Sequence, residues 1–396
     1  MRRFLATATA AVVGLIAGGA VGLAGRDRST AAILDPGSAA PLPAVRAVSP
    51  DTLLAWIPGG LPGGFTRRVG RVDGVADVTS VTSGVAWMTA SYSAAGDPVD
   101  RPSKGLAIPL EVAGIDPDDY GPFVPPSERA ALAAIAQGEG ALGETSALLR
   151  RLGPGSTVRF GGRAIRVAAV LPDTSIGAHE LVVSKRTAVR LGVTRSRYLL
   201  IDPAAGASRV RISAGIRAAL PPGDQVQIRG PGETPVFRHG DAVLPQVTLK
   251  ELFGEFAAAP QPGGYIRIDP AWASRHIVTT TVPLLGTVTC HRALIPQLRG
   301  ALQEVARRGH AALIDPGDFG GCYSLRFLNR NPAAGLSHHA WGVALDVNVS
   351  ANPFGRTPTQ DSRLVSIFER WGFTWGGRWL LPDGMHFEFV RFGSGT

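Results

Sequence analysis

Hydrophobic positions recur at helical spacing in some stretches of this chain and alternate in others. Ser127 opens a helical pattern running from Glu128 to Ala136, and a second helix is predicted from Thr145 to Leu152, stopped by Gly153-Pro154-Gly155. Valines at 69, 72, 75, 78 and 81 lead into an alternating apolar stretch that ends at Met88. Thr157–Phe160 and Ile165–Val170, split by Gly161-Gly162, predict a β-hairpin, and Tyr198–Ile201 another strand. The character changes near Pro245. Ile295, Leu298, Leu302 and Val305 share one helix face that ends at Gly309, and Asp361 is a good N-cap for a helix burying Leu364, Val365, Phe368 and Trp371, stopped by Gly372. From Val343 to Val349 the valines and Leu345 point one way and Ala344, Asp346 and Asn348 the other; Met385, Phe387 and Phe389 alternate in the same manner with His386 and Glu388. The pattern predicts an α+β protein. A C-terminal domain, residues 245–396, has a small antiparallel sheet with flanking helices, and a separate α+β domain, residues 51–244, precedes it.

Composition refines this. Fifty Gly and 31 Pro imply many turns and long connections, and exclude an all-helical build. The formal charge is +9, carried almost wholly by Arg, since Lys occurs only at 104, 185 and 250. The arginines are scattered without runs or interleaved aromatics, which argues against nucleic acid as a partner. An anionic surface, such as membrane phospholipid or an acidic wall polymer, is compatible with the charge. Arg2-Arg3, the uncharged run Phe4–Gly25 and Arg26-Asp27-Arg28 form an export pattern, so residues 1–25 are expected to be a signal peptide or a retained membrane anchor. Residues 26–50, rich in Ala, Pro, Ser and Gly, are expected to be a linker, with the remainder extracytoplasmic, anchored or secreted to the cell wall. In that compartment Cys290 and Cys322 read as a disulfide, closing a loop of about thirty residues worth about 3 kcal/mol.

The chemistry concentrates near the C-terminus. His338, His339, Asp346, Asp383, His386 and Glu388 fall within about fifty residues. Two neighbouring strands would bring Asp346 and His386 together, and a histidine on the approach to Gly342 would complete a three-ligand zinc site with an open fourth position; spacing alone admits His338 as well as His339. Asp383, in a loop three residues before His386, can act as a general base, and Arg326 can stabilise an oxyanion or bind a substrate carboxylate. Glu388 reads as a partner that orients a ligand. No comparable cluster is visible in residues 51–244, where His179 and His239 look isolated and are expected to be surface or hydrogen-bonded residues.

Ser337, His339, Gly342, Ala344 and Asp346, followed by Asp383 and His386, resemble the motifs of the VanY-like D-alanyl-D-alanine carboxypeptidases and L-alanyl-D-glutamate endopeptidases, zinc peptidases that cut peptidoglycan stem peptides. Cys322–Arg326 and Phe373–Trp379 resemble the endopeptidase-like branch. The resemblance implies a zinc peptidase domain with Zn2+ on His339, rather than His338, together with Asp346 and His386. It further implies Asp383 as base and Arg326 as the transition-state or substrate arginine. Peptidoglycan peptides would be the substrate, and a non-catalytic wall-binding or scaffolding role on the same fold is the alternative. The stretch Leu152–Val158 and the strands after it resemble the extracytoplasmic core domain of MacB-type transporter subunits, without the multiple membrane spans a transporter needs.

Overall fold

The computed structural model describes residues 51–234 and 237–392. The expected anchor and linker, residues 1–25 and 26–50, lie outside the described residues. Among the described residues no helix is long and apolar enough to cross a membrane.

The N-terminal part is built on one 11-stranded sheet. In spatial order its strands are Gln227–Arg229, Leu53–Trp56, Ser196–Pro203, Val75–Met88, Ile108–Ile115, Leu181–Ser184, Gly140–Gly143, Arg163–Leu171, Thr157–Phe160, Ala90–Tyr92 and Pro98–Asp100. The 157–160/163–171 hairpin forms as expected, as do helices Arg129–Ala136 and Glu144–Arg150. The sheet is larger than the periodicity announces. Leu53–Trp56, Gly140–Gly143 and nearly all of Ile108–Ile115 are buried on both faces, so their sequences carry no alternation. Three apolar clusters fill this part, drawn from residues between Leu53 and Phe237.

A further core gathers residues from Leu244 to Phe389 around a four-stranded antiparallel sheet. Its order is Phe319–Gly321, Ala344–Val347, His386–Phe389, Phe373–Trp375. Helix Ile295–Arg307 buries its predicted face, and Ser362–Arg370 buries Leu364, Val365 and Phe368, while Trp371 lies just past its end and is only half-buried; Asp361 caps this second helix, its Oδ1 accepting from the Arg363 amide at 2.8 Å. The strand after Gly342 is shorter than the alternation suggests. Asn348 adopts φ +54°, ending the strand at Val347. Its side chain turns away to bond the Leu313 carbonyl, Gln360 and the Asp315 amide, contacts local sequence does not reveal.

The two parts meet across a buried polar seam. Arg150 and Glu180 of the large sheet region interlock with Lys250 and Glu255. Lys250 Nζ lies 2.7 Å from Glu180 and 2.9 Å from Glu255, and also bonds the Pro109 carbonyl. Gln246 donates to Glu180 at 2.7 Å and to the Pro109 carbonyl at 3.0 Å.

Candidate metal centre

Register decides the first half of the site. In the antiparallel pairing, Asp346 sits directly opposite His386, and Ala344 opposite Glu388. Residues directly opposite share a face, so Asp346 and His386 meet side by side while Glu388 projects two residues along the same face. His386 Nδ1 lies 3.1 Å from Asp346 Oδ1.

The third group arrives on a short 3-10 turn, His338–Trp341. Ser337 caps it, its Oγ accepting from the His339 amide at 3.4 Å. Gly342 ends it at φ +69°. A side chain there is excluded, because a Cβ would lie 2.7 Å from the His291 amide nitrogen. The turn can therefore press against the strand Gly286–His291, to which it is tied by the His291 amide donating to the Gly342 carbonyl at 2.9 Å. This places His339 Nε2 3.2 Å from His386 Nδ1 and 3.3 Å from Asp346 Oδ1. One atom from each of His339, Asp346 and His386 thus converges on a common point.

The outer faces of both rings are already assigned. His339 Nδ1 is 3.0 Å from the Cys322 carbonyl. A carbonyl only accepts, so Nδ1 carries the proton and the Nε2 lone pair faces the cluster. His386 Nε2 is 3.3 Å from Glu388 Oε2, which leaves Nδ1 facing inward. Glu388 is buried and is held in turn by His338 Nδ1 at 2.9 Å and the Val243 amide at 3.1 Å. The two adjacent histidines are thereby separated in role: His339 joins the cluster and His338 braces Glu388.

The electrostatics match that geometry. Burial opposes charge on Asp346, but the bonds from His339 and His386 outweigh it and hold its carboxyl well below the usual range. Burial alone would lower His386, yet the two carboxylates beside it push it up to about 10. Burial lowers His339.

Asp383 lies on the loop leading into the last strand. Its amide donates to the Gly376 carbonyl at 2.9 Å, and its carbonyl accepts from the His386 amide at 3.1 Å. Gly376 permits this fold-back, since a Cβ there would meet the Asp383 carbonyl at 2.7 Å. Trp375 Nε1 braces the loop by donating to the Gly384 carbonyl at 2.8 Å, and Trp379 packs against the His386 ring, centroids 5.1 Å apart. Asp383 Oδ1 is buried without a hydrogen-bond partner among the described residues. Burial raises its pKa, with His386 and Arg326 pulling the other way. Arg326 is close enough to act electrostatically on both His339 and Asp383. The Cys290–Cys322 disulfide is present. It fastens the segment bearing the Cys322 carbonyl and Arg326 to the strand preceding helix Ile295–Arg307.

His179 and His239 are not isolated. They stack at 6.0 Å between centroids, and Ser83 Oγ lies 3.1 Å from His179 Nε2 and 3.3 Å from His239 Nε2. The fold brings them together around Ser83, which linear spacing could not show. They are hydrogen-bonded residues, as expected, and far in sequence from the metal cluster.

Residues 330–389 match the family model described as D-alanyl-D-alanine carboxypeptidase. The matched stretch contains Ser337, His339, Asp346, Asp383, His386 and Glu388, and supports a peptidase-family, hydrolase-type module at this end of the chain. It does not extend to Arg326 or to either cysteine, nor does it distinguish the endopeptidase-like branch. No curated protein matches the chain. Among solved structures, the periplasmic region of MacB from Actinobacillus actinomycetemcomitans aligns at 14% identity and TM-score 0.31, over 46% of this chain and 90% of that one. The extracellular domain of the noncanonic ABC-type transporter YknZ from Gram-positive bacteria aligns at 16% identity and TM-score 0.28, over 42% of this chain and 88% of that one. Similarity at this level carries no argument about fold or role.

Proposed function

We propose that the chain is an exported zinc peptidase that hydrolyses peptidoglycan stem peptides, at a bond of the D-alanyl-D-alanine or L-alanyl-D-glutamate type. The observation that carries this reading is the convergence of His339 Nε2, Asp346 Oδ1 and His386 Nδ1 beside the unpartnered, buried Asp383 Oδ1. Two imidazoles and one carboxylate are a donor set that suits zinc, and both rings have their outer nitrogen bonded so that the other nitrogen faces the shared site. Zinc bound there supplies Lewis acidity toward a water molecule and a carbonyl oxygen.

The chain's own residues supply the rest. Asp383 takes the proton of the attacking water on its carboxylate and returns it to the departing amine. A carboxyl raised by burial is better matched to this duty than an exposed one. Arg326 faces the developing negative charge or a carboxylate of the substrate with its guanidinium. Ser337 and Glu388 keep His339 and His386 in place. Export is supported by the N-terminal pattern and by the disulfide.

Mass spectrometry of muropeptides incubated with the zinc-loaded full chain tests the proposal. Release of a terminal D-alanine or cleavage after L-alanine is expected, with Asp383→Ala slower by about a hundredfold or more while still binding metal. Wall binding with no cleavage at any stem-peptide bond would overturn the enzymatic reading in favour of a binding module.

A further inference from the structure

We infer that the segment leaving the large sheet, Phe237–Pro245, is a working part of the metal centre, with Asp241 as a positioning residue for the loop that carries Asp383. This rests on the reading of Asp383 as the base. The segment lies outside the family match, yet it makes two polar contacts with the matched region. The Val243 amide donates to Glu388 Oε1 at 3.1 Å, and Asp241 Oδ1 accepts from the Leu380 amide at 3.2 Å.

Leu380 is three residues before Asp383 on the same loop. It is fixed twice from the sheet side: its amide by Asp241, and its side chain by packing against the core that contains Leu54, Trp56 and Phe237. The segment is itself anchored. Arg229, on the edge strand Gln227–Arg229, donates through Nη1 to the Arg238 carbonyl at 3.0 Å and the Gly240 carbonyl at 2.7 Å. A continuous path therefore runs from the sheet edge through Arg229 and Asp241 to Leu380 and the Asp383 loop. The same sheet also touches the Arg326 segment. Trp87 packs edge-on against Phe327, the neighbour of Arg326, at 6.2 Å. The proposed base and arginine are thus both set by a domain that the peptidase motif does not include. A catalytic group misplaced by about 1 Å loses up to about a hundredfold in rate, so anchors of this kind bear on turnover.

The test uses the full chain with Asp241→Leu, which removes the acceptor at similar volume, and Asp241→Asn, which keeps an oxygen for the Leu380 amide; Asp241→Ala replaces the leucine variant should it not fold. Amide hydrogen exchange over residues 379–385 reads the anchor without reference to turnover. Exchange about tenfold faster in Asp241→Leu, and near wild type in Asp241→Asn, is expected. On stem peptides, kcat should fall about tenfold or more in the leucine variant, with KM and Co2+ affinity within about twofold of wild type, and the asparagine variant should restore it. Unchanged exchange, or unchanged kcat in an active enzyme, would overturn the inference. A wild-type chain that binds metal and cleaves nothing overturns the proposed function instead, and the exchange comparison then decides the anchor alone.

Discussion

Glu388 shows how much of the site depends on a residue that donates no atom to the shared point. It bonds His386 Nε2 and lies 2.9 Å from His338 Nδ1 on one oxygen, and bonds the Val243 amide on the other. Burial pushes its carboxyl up, but the two histidines outweigh burial and hold it well below the usual range. A charged acceptor there fixes the ring orientation of His386 and makes its inward nitrogen a stronger donor to a cation. Glu388→Gln is expected to weaken zinc binding by about ten- to a hundredfold, measured by competition with a chelator at constant pH. Affinity equal to wild type would show that register and packing alone orient the ring. The alternation around His386 made Glu388 visible in the sequence. Its partners were not visible, because His338 and Val243 reach it only through the fold.

At the scale of elements, the two C-terminal helices are locked by one carboxylate. Glu304 accepts from Arg308 Nε, Arg370 Nη2 and Trp371 Nε1, each at 2.7 Å. Burial raises its pKa, but these donors together outweigh it and bring it down to about 2. The sign follows directly. A carboxylate depressed in the folded state stabilises above its unfolded value near 4.5, and that stability is lost as pH falls towards 2. Thermal unfolding followed from pH 6 to pH 2 should show a decline that Glu304→Gln flattens between about pH 4.5 and 2. Coincident slopes would place the acid sensitivity elsewhere. Both helices were legible, since helical periodicity, the Asp361 cap and the glycine stops all act within a few residues. The clamp was not: Glu304 and Trp371 are distant in sequence, and their approach requires Gly300, where a Cβ would meet the Trp371 ring at 2.1 Å. The doubly buried strands at 53–56 and 140–143 escaped for a different reason, since a strand covered on both faces has no polar side to alternate with.

Across the whole molecule, the buried seam of Arg150, Glu180, Lys250 and Glu255 joins the large sheet to the C-terminal core. Two cations face two carboxylates, with Arg150, Glu180 and Lys250 fully buried and Glu255 partly so, and removing one buried partner strands a charge. Lys250→Met should cost about 3–5 kcal/mol in urea-induced unfolding of the full chain, since among the described residues Glu180 and Glu255 would keep Arg150 as their one cation. An unchanged midpoint would mean that water or rearrangement replaces the lysine readily. Lys250 is one of only three lysines, and nothing in its neighbourhood in sequence distinguishes it from a solvated helix residue.

The sequence by itself determined the mixed α+β character, Asp346 and His386 as members of the candidate metal cluster, the cysteine pair and the two amphipathic helices. These rest on local periodicity, capping and residue chemistry, which act over a few positions. Tertiary structure alone decided that Asp346 stands opposite His386, that His338 and His339 divide their roles, and that the sheet domain reaches the Asp383 loop through Asp241. Those outcomes depend on strand register and on contacts between residues 17 to 139 positions apart, where the chain's path, and not its local pattern, sets the distance.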